Sequence, residues 1–267
     1  MSLTVSLIQS DLHWEDKEAN LRMFEERINN IHDKTHMVIL PEMFNTGFSM
    51  NAEKLAEPMS GTTIKWMKQM AAKKKVIITG SLIINEGEDY FNRLVWMLPS
   101  GKHGHYDKRH LFAYAGEDQH YTSGEKRFIA SVNGWKVNLQ VCYDLRFPVW
   151  ARQDASNTSA ELNPFEYDVL IYVANWPQRR IHAWKTLLQA RAIENQCYTI
   201  GVNRVGDDAN GIHYTGCSMV VDPVGEVLYQ QEDKEDLKTI TLDKKHLADI
   251  RQRFPFWKDA DKFRILK

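Results

Sequence analysis

Two hydrophobic periodicities alternate along the first half of the chain, and this alternation restricts it to an α/β architecture. Thr4 to Leu12 alternates apolar and polar residues, as a half-buried strand does. Trp14, Leu21, Phe24, Ile28 and Ile31 then recur at helical spacing, which predicts an amphipathic helix of about 18 residues. Met37-Val38-Ile39-Leu40 predicts a short buried strand closed by Pro41-Glu42. A second helix is predicted with Thr62 or Thr63 as its N-cap and Ile64, Met67 and Ala71 on one face. Val76 to Ile84 predicts a strand. The turn-like Asn85 to Asp89 folds Tyr90 to Leu98 back as a hairpin, and after the turn Pro99-Ser100-Gly101-Lys102 the sheet continues through His103 to Lys108.

The second half repeats this logic. Trp135 to Cys142 and Asp168 to Ala174 predict buried strands, and the polar stretch Gln153 to Asn163 between them predicts an exposed loop. Ile181, Trp184, Leu188 and Ala192 mark a long helix. Strand-like runs follow at Cys197 to Val205, at Cys217 to Gln231 with a turn at Asp222-Pro223-Val224-Gly225, and at Leu237 to Leu242. A last helix carries Leu247, Ile250 and Phe254. There is no Pro/Gly/Ser linker, low-complexity tract or short repeat. The expectation is one α/β domain over 1–267, with two mixed sheets and helices outside them.

Composition excludes several classes of partner. The net charge is −1, which gives no basic field for nucleic acid or for an anionic membrane surface. No apolar run approaches the roughly 18 residues of a membrane span. The amino terminus lacks a basic segment and already alternates like a strand, so a signal peptide is not expected. Three cysteines cannot all pair, which points to a reducing, cytoplasmic setting.

Cys142 closes an apolar strand and is followed by the sharp exit Tyr143-Asp144-Leu145-Arg146-Phe147-Pro148. A thiol at a strand-to-loop corner is where an α/β protein places a nucleophile, although buried cysteine is also an ordinary core residue. Cys197 and Cys217 each open an apolar run and read as core. Glu42 ends a buried strand and is followed by Met43, Phe44, Phe48 and Met50, an apolar setting suited to a general base. Taken singly, Glu42 also reads as a strand-end acid, Lys108 as a solvated lysine and Glu117 as a loop acid. Taken together, two glutamates, a lysine and a cysteine lie on segments able to converge at one sheet edge.

Three ordered segments carry a family resemblance: Leu40-Pro41-Glu42-Met43-Phe44, Tyr106-Asp107-Lys108-Arg109-His110-Leu111-Phe112 and Val141-Cys142-Tyr143-Asp144-Leu145-Arg146-Phe147-Pro148. With them the chain resembles the nitrilase (carbon–nitrogen hydrolase) superfamily from Leu3 to about Leu242. The resemblance implies a four-layer α-β-β-α sandwich, no cofactor, and a catalytic triad at Glu42, Lys108 and Cys142. Glu117, followed by the turn at Gly124, matches the family's second glutamate, which orients the lysine; a direct role in proton transfer is its other reading. The implied chemistry is a Cys142 thioester, with Glu42 as base and Lys108 and the backbone N–H of Tyr143 as oxyanion donors. The stretch Arg152 to Tyr167 departs from the family in being longer and more polar, and is expected on the surface.

The Cys142 segment, with Tyr172-Val173-Ala174-Asn175-Trp176-Pro177, is most similar to bacterial omega-amidases, which implies hydrolysis of 2-oxoglutaramate or 2-oxosuccinamate. Amidases for deaminated glutathione and N-carbamoyl amino acid hydrolases are the enzymatic alternatives. A small-molecule binding module on the same fold is the alternative without turnover. Arg146 is the first candidate for the substrate carboxylate; an ion pair with Glu42, Glu117 or Asp144 is its other reading. Arg179 and Arg180 are further candidates. Phe44, Tyr114 and Trp176 are expected to wall the pocket, or else to pack in the core. His103-Gly104-His105 has no Cys/His cluster or HExxH beside it, so no metal is expected. The resemblance also implies a homodimer, with the segment after Cys142 and the aromatic tail Phe254-Pro255-Phe256-Trp257 near the interface.

Overall fold

The computed structural model describes residues 2–153 and 165–265. In chain order its elements are β1 (Ser2–Gln9), α1 (Lys17–Asn29), β2 (Met37–Ile39), α2 (Ala52–Leu55), α3 (Thr62–Lys74), β3 (Ile77–Glu86), β4 (Asp89–Met97), β5 (His103–Asp107), β6 (Ile129–Val132), β7 (Trp135–Val141), α4 (Pro148–Ala151), β8 (Val169–Ala174), α5 (Ile181–Asn195), β9 (Tyr198–Asn203), β10 (Val205–Asp207), β11 (His213–Val221), β12 (Val227–Glu232), β13 (Asp236–Asp243) and α6 (Lys244–Arg253).

The strands form two mixed sheets. One has the order β13-β1-β2-β3-β4-β5; the other runs β10-β11-β9-β8-β7-β6, with β12 added on β11. Alternation along the strands decides what lies on each side. Leu3, Val5, Leu7, Met37, Ile39 and Trp96 of the first sheet face Val137, Leu139, Val141, Ile171, Val173 and Ile200 of the second in a common core. Ile8, Val38, Leu40, Ile78 and Leu82 point the other way, against Phe24 and Ile28 of α1 and Ile64 and Met67 of α3. Leu170, Tyr172, Met219 and Val221 pack outward against Trp184, Leu188 and Ala192 of α5. The layers are therefore α-β-β-α. Among the described residues no helix is long and apolar enough to cross a membrane.

Several boundaries differ from the periodicity reading. Helix α1 begins at Lys17, because Asp16 caps it by accepting from Ala19 N at 2.9 Å; Trp14 lies outside the helix. Gly61, not Thr62 or Thr63, is the N-cap of α3, and Glu57 Oε2 reaches in to accept from Thr63 N at 2.8 Å. Cys217 sits inside β11 rather than opening it, at a register shift where its φ is 57°. Most of the expected Gln153 to Asn163 loop lies outside the described residues, as does most of the Arg152 to Tyr167 departure; Gln153 itself is buried, its N–H donating to Asn195 Oδ1 at 3.0 Å. Of the tail aromatics, only Phe256 is well exposed, while Phe254 and Trp257 are half-buried, with Trp257 edge-on to Phe165.

Candidate active site

The ends of four strands that run the same way meet at one edge of the sandwich. Glu42 lies just beyond β2 and Lys108 just beyond β5 in one sheet; Cys142 follows β7 and Asn175 follows β8 in the other. Opposed sheets thus bring together residues far apart in sequence. Cys142 holds a positive φ of 44° and opens a single 3₁₀ turn, Cys142–Arg146. This sharp, strained exit lifts the thiol off the strand and aims it across the sheet edge.

Glu42, Lys108 and Glu117 have fully buried side chains. Lys108 Nζ donates to Glu42 Oε1 at 2.9 Å and to Glu117 Oε1 and Oε2 at 3.0 and 2.9 Å. Burial works against the ammonium, but Glu117 and Glu42 outweigh it and hold Lys108 above its ordinary value, so it stays charged. Burial raises Glu117, against the pull of Lys108. Glu42 Oε2 accepts from the backbone N–H of Asn175 at 2.8 Å, and Asn175 Nδ2 donates to the Glu42 carbonyl at 2.7 Å, which ties the two sheets together beside the thiol. Burial, then the negative charge of Glu42, pushes the Cys142 thiol well above its ordinary value, with Lys108 opposing. This direction favours the neutral thiol over the thiolate.

Asp144 makes the second tie. Its buried carboxylate accepts from His110 N and Nδ1 at 2.9 and 2.8 Å, from Tyr106 Oη at 2.8 Å and from Val141 N at 3.0 Å. Tyr106 and His110 bracket Lys108, so one side chain fixes the lysine segment against the cysteine turn. Gly124 is required by close approach: its N–H donates to the Lys108 carbonyl at 2.9 Å, and a Cβ there would come within 2.1 Å of the Asp107 carbonyl oxygen.

Cys142 opens onto a cavity of about 530 Å³. Tyr143, Phe48, Phe112, Trp176, Tyr214 and Trp14 supply aromatic lining, with Met50 and Ile212 beside them. Arg146 and Arg180 line it as well, each lying over an aromatic ring: Arg146 5.0 Å from the centre of Trp176, Arg180 5.0 Å from that of Phe112. Neither guanidinium has an ion pair among the described residues. The arrangement offers a thiol and two guanidinium groups on the cavity wall, with a buried carboxylate and ammonium behind the thiol.

The family model for carbon-nitrogen hydrolases matches residues 4–252. The chain belongs to the carbon–nitrogen hydrolase family. This hydrolase is 43% identical over 266 residues to omega-amidase YafV of Yersinia enterocolitica, covering 99% of each chain. It is 30% identical over 268 residues to the 2-oxoglutaramate amidase of Bacillus subtilis strain 168, covering 98% of this chain and 99% of that one. It superposes on the crystal structure of XC1258 from Xanthomonas campestris, a CN-hydrolase superfamily protein with an arsenic adduct in its active site, with a TM-score of 0.95, 40% identity and complete coverage of both chains.

Within the hydrolase, Glu42, Lys108, Glu117 and Cys142 come together as the sequence led one to expect, and Tyr143, Arg146 and Trp176 line the cavity. Two expected wall residues do not. Phe44 is fully buried on the helical side of the first sheet, edge-on to Phe24 and tilted on Trp66. The cause is local: Met43 takes a positive φ of 43°, and Phe44 N donates to the Ser81 carbonyl at 3.0 Å, turning the ring away from the pocket. Tyr114 is 87% exposed, because the short 3₁₀ turn Ala113–Ala115 presents it outward while Phe112 faces the cavity. Arg146 makes no ion pair with Glu42, Glu117 or Asp144, whose oxygens are taken by the groups named above. His103 and His105 lie on edge strand β5, and among the described residues no group of His, Cys, Asp and Glu is arranged to hold a metal ion.

Other site residues carry no signal that periodicity reads. Asn92 of β4 donates through Nδ2 to Glu42 Oε1 at 2.8 Å and to Glu117 Oε1 at 3.2 Å. Asp208 accepts from Tyr214 Oη at 3.0 Å and from the backbone of Asn210 and Ile212, fixing the far wall. Of the asparagines at the site, only Asn175 lies within a motif, Asn175-Trp176-Pro177, that the sequence marks out.

Proposed function

We propose that this hydrolase is an omega-amidase that releases ammonia from short amides of 2-oxo acids, through a thioester on Cys142. The observation that carries the reading is the single cavity holding Cys142, the Glu42–Lys108–Glu117 cluster behind it and the guanidinium of Arg146, which has no ion pair among the described residues. The names of the relatives from Yersinia enterocolitica and Bacillus subtilis support the choice of amide.

Glu42 takes the thiol proton as Sγ bonds to the amide carbon and the carbonyl electrons move to oxygen. Lys108 and the Tyr143 N–H donate to that oxyanion; one such donor is worth on the order of 3 kcal/mol in the transition state. Collapse breaks the C–N bond. Glu42 returns its proton to nitrogen, and ammonia leaves a thioester. Water, deprotonated by Glu42, attacks the thioester; the acid departs and the proton returns to sulfur. Glu117 keeps Lys108 charged and aimed.

Arg146 is the carboxylate clamp in this reading. Its planar fork suits bidentate binding, so Arg146→Met should raise KM for 2-oxo-acid amides about 10- to 100-fold, and Arg146→Lys should also be impaired. Amides lacking the far carboxylate should be slow and indifferent to the change. Ammonia release measured across charged and neutral amides tests this: an equal loss on both, with a lower melting temperature, would make Arg146 structural.

The working unit is proposed to be a homodimer in the cytoplasm. Val149 on α4, Ile193 on α5 and Phe256 in the tail are 53%, 52% and 63% exposed, and Ile193 and Phe256 line one surface hollow with Trp257. Light scattering at micromolar concentration should return twice the chain mass of 31.1 kDa, and a one-chain mass would exclude the dimer.

A further inference from the structure

We propose that Asn92 is a positioning residue for the hydrolysis: its side-chain amide holds the carboxylates of Glu42 and Glu117 in register while Lys108 turns an N–H toward the oxyanion. This inference rests on the amidase reading and adds a residue to it.

Lys108 Nζ has three N–H groups and three carboxylate contacts, one to Glu42 and two to Glu117. A contact to the oxyanion therefore takes an N–H from a carboxylate. Glu42 is the one that yields, because accepting the thiol proton removes the charge that attracts the ammonium. At that moment Glu42 Oε1 keeps a single donor, Asn92 Nδ2. The same Nδ2 reaches Glu117 Oε1, so the two acids stay at a fixed separation whether or not Lys108 bridges them. A neutral donor suits the task. It steadies Glu42 without fixing it as an anion, and Glu42 must both take and return a proton.

The orientation of the amide is settled by its partners. Turned over, it would set a carbonyl oxygen against two carboxylate oxygens. As it stands, Asn92 Oδ1 is buried with no partner among the described residues. An unpaired buried acceptor costs about 1–3 kcal/mol, so packing alone does not account for an asparagine here. Asn92 also joins the cluster through its backbone, its carbonyl accepting from Lys108 N at 3.0 Å.

The test is steady-state kinetics on 2-oxoglutaramate as a function of pH, with Asn92→Leu and the isosteric Asn92→Asp. Losing one hydrogen bond to a charged group should lower kcat of Asn92→Leu about 10- to 100-fold, with KM unchanged. The ionisable groups facing the two acids are Lys108, Cys142 and Tyr121. None is altered, so the acid limb of the profile reports the acids as a coupled pair. Removing a donor to their charged form favours protonation, and the acid limb should move to higher pH. Asn92→Asp adds a third acid and should move it the same way, which keeps the test in force if Asn92→Leu fails to fold. An unmoved acid limb in a folded variant overturns the proposal, even where kcat falls. Cys142→Ala is assayed alongside. Turnover by that variant would overturn the amidase reading itself, whereas wild-type behaviour of the Asn92 variants beside an inactive Cys142→Ala removes only the role of Asn92.

Discussion

Cys142→Ala is expected to bring ammonia release to background, a loss of about 10⁴-fold or more, without unfolding the protein. The thiol is half-buried at the cavity floor, and alanine meets the same backbone demand at a φ of 44°, so the turn should survive. Neither remaining thiol can substitute. Cys197 and Cys217 are buried on the outer face of the second sheet, under α5. Cys197→Ala and Cys217→Ala should therefore keep turnover. Mass spectrometry with a slowly hydrolysed amide should find the acyl group on Cys142 alone. Burial and Glu42 hold the resting thiol in its neutral form, so alkylation of Cys142 by iodoacetamide should be slow at neutral pH and quicken as pH rises. Substantial turnover by folded Cys142→Ala would end the thioester mechanism.

Glu42 and Cys142 carry a local mark in the sequence: each closes an apolar strand-like run, and a chain that turns at that point presents its next side chains at the sheet edge. Lys108 carries no such mark, since it follows the polar run His103-Gly104-His105-Tyr106-Asp107, and only the family resemblance singles it out. Two mixed sheets with helices outside were readable because strand alternation and helical spacing are short-range properties, while the four-layer order came with the family resemblance. That resemblance also supplied the pairing of segments, which periodicity does not.

The rest of the site depends on contacts that cross the sandwich. Asn92 is 50 residues from Glu42, and Asn175 is 133 residues from it. Both sit in strands or strand ends whose polar character explains nothing until the two sheets are stacked. Trp14 falls on the spacing of a helical stripe, but the Asp16 cap excludes it from α1 and leaves it to line the cavity. Phe44 failed in the opposite sense. It follows Glu42 by two residues, yet one residue with a positive φ between them reverses the side it faces. Gly80 completes the arrangement, since a Cβ there would meet the Phe44 ring at 2.9 Å.

Glu42→Gln and Lys108→Met should each lower kcat about 10³-fold, in the range for removing a general base or an oxyanion donor. The two act as a unit, so the double variant should be barely slower than either single one; losses that multiply would require independent roles. Stability separates the two substitutions. Glu42→Gln removes a charge and leaves Lys108 paired with Glu117 through both oxygens, so melting should change little. Lys108→Met leaves two buried carboxylates without their cation, a loss of about 3–5 kcal/mol at neutral pH. Glu117, already raised by burial, is the one that takes a proton in response. A carboxyl raised in the folded state binds its proton more tightly there than in the unfolded chain. The stability of Lys108→Met should therefore be greatest at acid pH and fall as pH rises through the carboxylate range toward neutrality. In the double variant Glu117 is the one carboxyl left in the cluster, with no second acid beside it, so melting at neutral pH should recover part of the loss while activity does not return. Thermal melts of the three variants across pH, beside their kcat values, check this. A double variant less stable than Lys108→Met would show that the buried charges are not what couples these residues.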